Sequence, residues 1–202
     1  MKLSQSAKLK ARELHQSTNH KYDLGDYFET HIQMVVYFGL QYIYLIPVED
    51  REAVIAALYL HDSIEDCRVT HSDLKKWFGQ MVADIVYAVT NEKGRVRKER
   101  ANDVYYTGIR RTKYATFVKL VDRMANVNYS QTKGSTMFTK YKDEQPNFEK
   151  SLKGTQFLLG KVDYWFDSIF NLRGIDYSIL YEDLNKMYDN VPSSFEIAYN
   201  EE

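Results

Sequence analysis

An all-α fold is the class this sequence predicts, and three features carry that expectation. Apolar residues recur at helical spacing over most of the chain. Only 9 Gly and 3 Pro punctuate its 202 residues, and no stretch of strand length alternates apolar with polar. A helical bundle of about eight to ten helices is expected. Residues 4–17 read as the first helix, with Ala7, Ala11 and Leu14 on one stripe. A polar stretch from Ser17 to Gly25 follows, then a helix over 27–45 carrying Ile32, Val35, Val36 and Leu40, which Pro47 stops. The next helix, from about Glu49 to His61, contains AVIAALYL and is apolar nearly all round, which places it at the centre of the fold.

Ser63 to Val69 reads as a turn, and Thr70 with Asp73 three residues on resembles a capping box opening a short helix. Gly79 breaks that helix and QMVADIVYAVT starts another. After the basic loop NEKGRVRK come ERANDVYYTGIRR and YATFVKLVDRMANV, then helices at about 137–152, 156–171 and 178–188. The tail after Pro192 reads as loosely held.

Composition narrows the function. At 44% hydrophobic and 27% charged the chain is globular, and its length allows roughly 70% of the unfolded surface to be buried without a disulfide or structural metal. Lys and Arg number 27 against 28 Asp and Glu, so no global positive field draws nucleic acid. The single cysteine, Cys67, excludes an internal disulfide and a Cys-based zinc site. Next to acidic neighbours it reads as a small packing residue. No run approaches 18 apolar residues and the first residues lack a signal-peptide core, so a cytoplasmic protein without a membrane partner is expected. His15 and His71 read as surface residues. The segment Tyr164-Trp165-Phe166 reads as core or as a subunit contact, so a homo-oligomer is compatible with the sequence.

Metal-ligand residue types are concentrated in three places. His61-Asp62 closes the most apolar helix, where an imidazole and a carboxylate entering a core are costly unless coordinated or hydrogen-bonded. Successive helical residues diverge by about 100°, so both can face one ion only where the helix unwinds, and the break at Ser63 supplies that point. Glu65 and Asp66 add two carboxylates within four residues, which repel unless a cation balances them. In LVDRMANV, Asp122 and Asn126 share one face of an apolar helix, and His31 stands among apolar positions on another. Two His and two Asp from three helices suit Mn²⁺, Fe²⁺, Zn²⁺ or Mg²⁺.

That pattern resembles the HD-domain metal-dependent phosphohydrolases. Within them, ALYLHDSIEDC, VKLVDRMANV and VADIVYAVTNEKGRVRKER are similar to the hydrolase domain of the RelA/SpoT family and its small single-domain relatives, over about residues 5–152. The resemblance implies a hydrolase domain over 1–155 with a helical extension over 156–202. It implies one divalent ion, most often Mn²⁺, on His31, His61, Asp62 and Asp122. It gives Glu65 and Asp66 the catalytic acid and base roles. His20, Lys21, Lys93, Asn126, Tyr141 and Lys142 would meet the nucleotide, with the lysines on its phosphates. Two positions depart from the family pattern, which commonly has Arg where His20 stands and Pro where Ile32 stands. The implied activity is removal of the 3′ pyrophosphate from (p)ppGpp. Two other readings stand beside it: a related enzyme acting on (p)ppApp, NADPH or a deoxynucleotide, and a non-catalytic nucleotide-binding regulator.

Overall fold

The computed structural model describes residues 1–91, 99, 101–154 and 175–189. It is all-α, with α1 (Leu3–Ser17), α2 (Gln33–Gln41), α3 (Arg51–Leu60), α4 (Ser63–Asp66), α5 (His71–Phe78), α6 (Gln80–Val89), α7 (Asp103–Arg111), α8 (Ala115–Thr132), α9 (Met137–Lys153) and α10 (Ser178–Asp189). The helix expected at 156–171 and the tail after Pro192 lie outside the described residues. So does the Tyr164–Phe166 segment, and the expected boundary near 155 falls at the edge of an undescribed stretch. Of the expected extension, α10 is described and packs on α8 and α9.

The helix with no polar face is central, as its sequence requires. α3 packs against α1, α2, α6 and α8, and Val54, Ala56, Ala57, Leu58 and Leu60 are fully buried along it. Burying each of the larger aliphatic side chains contributes about 1.5–3 kcal/mol, which fixes the helix whose last turn delivers His61. α8 is the second pillar, with Phe117, Val118, Leu120, Val121, Met124, Ala125 and Val127 buried against α2 and α10. Thr70 and Asp73 close the expected capping box: Asp73 N–H donates to Thr70 Oγ1 at 3.2 Å and Thr70 N–H to Asp73 Oδ2 at 3.0 Å.

Two local departures shape the site. The helix expected over 27–45 is interrupted: Phe28–Ile32 is a π-helical turn, α2 ends at Gln41, and a 3₁₀ turn spans Ile43–Leu45. Single π turns interrupt helices most often at functional sites, and this one carries His31. The polar stretch before it holds a two-residue antiparallel ladder, Lys21–Tyr22 on Gly25–Asp26. Asn19 and Asp23 take left-handed φ of 51° and 52° there. Asn and Asp tolerate that region best among residues with a side chain.

His15 departs from its expected place on the surface. It is 1% exposed on the inner face of α1, in register with buried Ala7 and Ala11. His71 is half-buried and paired with Asp84 at 2.7 Å.

Close approach of α2 to α3 depends on Gly39, where an added Cβ would overlap the fully buried Leu58 side chain. Gly39→Ala is therefore expected to lower stability by about 1–2 kcal/mol, overpacking outweighing the better helix propensity of alanine. Urea unfolding at constant m-value measures it.

Candidate metal centre and active site

His31, His61, Asp62 and Asp122 converge. His31 Nε2 lies 3.3 Å from His61 Nε2, 3.4 Å from Asp62 Oδ2 and 3.4 Å from Asp122 Oδ1. His61 Nε2 is 2.9 Å from Asp62 Oδ2 and 3.8 Å from Asp122 Oδ1. With metal–ligand bonds of about 2.1 Å, neighbouring donors sit roughly 3–3.5 Å apart, so these separations match one coordination shell. His61 and Asp62 face the same point because α3 ends at Leu60 and the chain turns before α4 begins at Ser63.

Each ligand is oriented from behind. His61 Nδ1 lies 2.9 Å from the Leu58 carbonyl, which places its proton on Nδ1 and leaves the Nε2 lone pair toward the centre. Tyr27 Oη donates to Asp62 Oδ2 at 2.6 Å. Lys119 Nζ donates to Asp122 Oδ2 at 2.9 Å, and Asn126 Nδ2 to Asp122 Oδ1 at 2.7 Å. Tyr22 Oη in turn donates to Asn126 Oδ1 at 2.9 Å, and its ring stacks on His31. His31 Nδ1 is buried without a partner.

The electrostatics point to a missing positive charge. Burial works against the charged form of His31, yet the bonds to Asp122 and Asp62 outweigh it and raise its pKa to about 9. His61 moves the same way, while Asp62 and Asp122 are held well below the carboxylate range. The two carboxylates thus favour positive charge on the imidazoles facing them. Two imidazole nitrogens and two carboxylate oxygens form a borderline-hard donor set that suits a divalent cation.

Three of the four, His31, Asp62 and Asp122, with His61 buried beside them, line a cavity of about 710 Å³, within the usual range for a small-molecule site. Asp62, Glu65, Asp66, Asp122 and Glu144 line it, against Lys119 and Arg123 among its described cationic residues. Both cations are already ion-paired, Lys119 to Asp122 and Arg123 to Glu144 at 3.3 Å. The far wall is built by Tyr106, Tyr141, Phe148 and Asn147, and the Arg123 guanidinium lies between the Tyr141 and Phe148 rings.

The remaining expected site residues divide. Glu65, Asp66, His20, Asn126 and Tyr141 line the cavity. Asn91 Nδ2 donates to Glu65 Oε2 at 3.0 Å, and His20 Nδ1 lies 3.4 Å from Asp66 Oδ2. Lys21 is exposed on the small ladder and does not line the cavity. Lys142 also stands off it: Nζ donates to the Tyr188 carbonyl at 3.1 Å, satisfying a carbonyl near the end of α10. Lys93 lies outside the described residues. Sequence reasoning assigned no role to Tyr22, Tyr27, Asn91, Arg123, Glu144 or Lys119. Two of these were signalled by helical spacing, Tyr27 four residues before His31 and Lys119 three before Asp122.

No protein-family model matches the chain. It is 28% identical over 129 residues to guanosine-3′,5′-bis(diphosphate) 3′-pyrophosphohydrolase MESH1 of Drosophila melanogaster, covering 61% of this chain and 70% of that protein. To MESH1 of Xenopus tropicalis it is 30% identical over 120 residues, covering 56% of this chain and 67% of that protein. The chain belongs to the MESH1-type HD-domain hydrolases. MESH1 of Danio rerio is 36% identical over 80 residues, 40% of this chain and 44% of that protein. A solved metazoan ortholog of SpoT, which hydrolyses ppGpp, superposes with a TM-score of 0.62 at 21% identity, over 94% of this chain and 95% of that one, and so shares its fold.

Asp66 is the strained member of this MESH1-type site. Burial, then the charges of Asp62 and Glu65, push its carboxyl up to about 7. A carboxyl whose folded pKa lies above its unfolded value stabilises the fold at low pH and loses that contribution as pH rises through the folded value. In metal-free protein, Asp66→Asn should therefore be more stable than wild type by about 2–4 kcal/mol at pH 8, the difference vanishing near pH 4. Paired denaturation curves in chelator across that range test it.

Proposed function

We propose that this chain hydrolyses (p)ppGpp, releasing pyrophosphate from the 3′ position with one divalent ion, Mn²⁺ by preference, on His31, His61, Asp62 and Asp122. The observation that carries the reading is the buried group His31, His61 and Asp122 with Asp62 against both imidazoles, at a nucleotide-sized cavity lined by two further carboxylates, Glu65 and Asp66. The MESH1 relatives, which are guanosine-3′,5′-bis(diphosphate) 3′-pyrophosphohydrolases, support the substrate class. When bound, the ion supplies Lewis acidity to water and to phosphoryl oxygen.

The protein's own residues do the rest. Hydrolysis forms a bond from water oxygen to phosphorus, breaks the bond from phosphorus to the sugar 3′ oxygen, and requires one proton removed from water and one delivered to that oxygen. We assign these transfers to Glu65 and Asp66, a reading supported by their position on the first turn after Asp62 and along the cavity. A group with a pKa near the working pH transfers protons in both directions, and Asp66 is such a group. Asn91 orients Glu65, and His20 orients Asp66. Tyr106, Tyr141 and Phe148 offer ring faces to the nucleoside, with Asn126 and Asn147 as polar contacts. Lys93 is assigned to the phosphates by resemblance.

Glu65→Gln and Asp66→Asn should each lower kcat for ppGpp by about a hundredfold or more while Mn²⁺ stays near one per chain. His61→Ala should lose both ion and turnover. The measurements are metal analysis and a product assay that separates GDP from pyrophosphate over a panel of ppGpp, ppApp and NADPH. Cleavage of another nucleotide with ppGpp untouched would transfer the site to that substrate. Near wild-type turnover in either carboxylate variant would remove that residue from the chemistry.

A further inference from the structure

A second group of metal-ligand side chains stands beside the first and takes no part in holding that ion. His15 Nδ1 lies 3.4 Å from His20 Nδ1, and His20 Nδ1 lies 3.4 Å from Asp66 Oδ2. One ligand atom of each of the three falls within 4.8 Å of the other two. These separations resemble the 3.3 Å between the imidazole nitrogens of the first centre. The residues come from α1, from the turn after it and from α4, so only the folded chain assembles them.

The two rings are held in place before any ligand arrives. Tyr27 stacks on His20 with centroids 3.9 Å apart and planes 15° apart, and on His15 at 4.9 Å and 20°. His15 is 1% exposed, and its Nε2 is buried without a hydrogen-bond partner among the described residues. Its polar contacts run through Nδ1, toward His20 and toward Cys67 Sγ at 3.4 Å. In the tautomer with its proton on Nε2, the ring offers the Nδ1 lone pair to the cluster. Burial lowers the His15 pKa to about 4, so the ring is neutral at physiological pH, the state a ligand needs.

We propose that His15, His20 and Asp66 form a second divalent-cation site that selects zinc. Two imidazoles and one carboxylate with further positions open is a common protein donor set for Zn²⁺, completed by solvent or by an oxygen of a bound molecule. The cavity side of His20 and Asp66 supplies the access, whereas His15 closes the shell from within. Tyr27 ties the two centres together, since its ring orders His20 while its hydroxyl bonds Asp62. An ion here also commits an Asp66 oxygen, so occupancy of the site and proton transfer by Asp66 exclude one another.

The test is equilibrium dialysis of metal-free full-length protein against Zn²⁺ alone, with bound zinc counted per chain and folding checked by circular dichroism. Wild type should hold two ions. His20→Gln, a partly exposed position that tolerates the change, should hold one, as should His15→Asn if it folds. His61→Ala should also drop to one by losing the first centre, which separates failure of that centre from failure of this one. One ion in wild type would overturn the proposal, as would two in His20→Gln. Loss of the second ion in His71→Ala, with retention in His20→Gln, would move it to the His71–Asp84 pair and equally overturn it.

Discussion

Two carboxylates and two imidazoles brought into the protein interior set the terms for everything around them. Ionised Asp62 and Asp122 lose hydration on burial, a cost of several kcal/mol each that only a nearby positive charge and hydrogen bonds offset. The chain meets that requirement in layers. Tyr27, Lys119 and Asn126 each bond a carboxylate oxygen directly, and the carboxylates in turn favour the charged form of the two imidazoles. Stability and function are thus linked through one charge balance.

The backbone bends to serve this cluster. Residues 61 and 62 share one point because the central helix stops at Leu60, just before them, and His31 projects inward from a π turn instead of a regular helix. Both irregularities sit on elements otherwise buried by apolar packing, so the fold can hold them. Leu58 shows the coupling: its side chain packs under Gly39, and its carbonyl fixes the tautomer of His61. A packing residue of α3 therefore also orients a ligand.

Charge along the cavity is uneven. Among its described charged residues five carboxylates face two cations, and both cations are already committed to carboxylates. A polyanionic nucleotide enters such a space only with positive charge supplied there. The metal centre is the source the described residues provide for. At the other end, aromatic rings and amides offer the shape and neutrality a nucleoside needs.

How much of this was legible in the sequence follows from what each feature depends on. Helical periodicity, the capping box at Thr70 and the all-apolar α3 are local properties, so the fold class and the central helix could be read directly. The metal ligands were legible because ionisable residues in apolar helices are expensive and therefore conspicuous, and their motif spacing resembles a known family. Residues whose roles arise from meeting across distant elements left no such mark. Tyr22 reaching Asn126, Arg123 lying between Tyr141 and Phe148, and Lys142 turning to Tyr188 depend on which helices pack, which periodicity does not specify. His15 is the plainest case. Glu13 and Gln16 flank it closely, but the face of α1 that carries it lies against α3, and only that packing decides that an imidazole expected in water is buried beside His20.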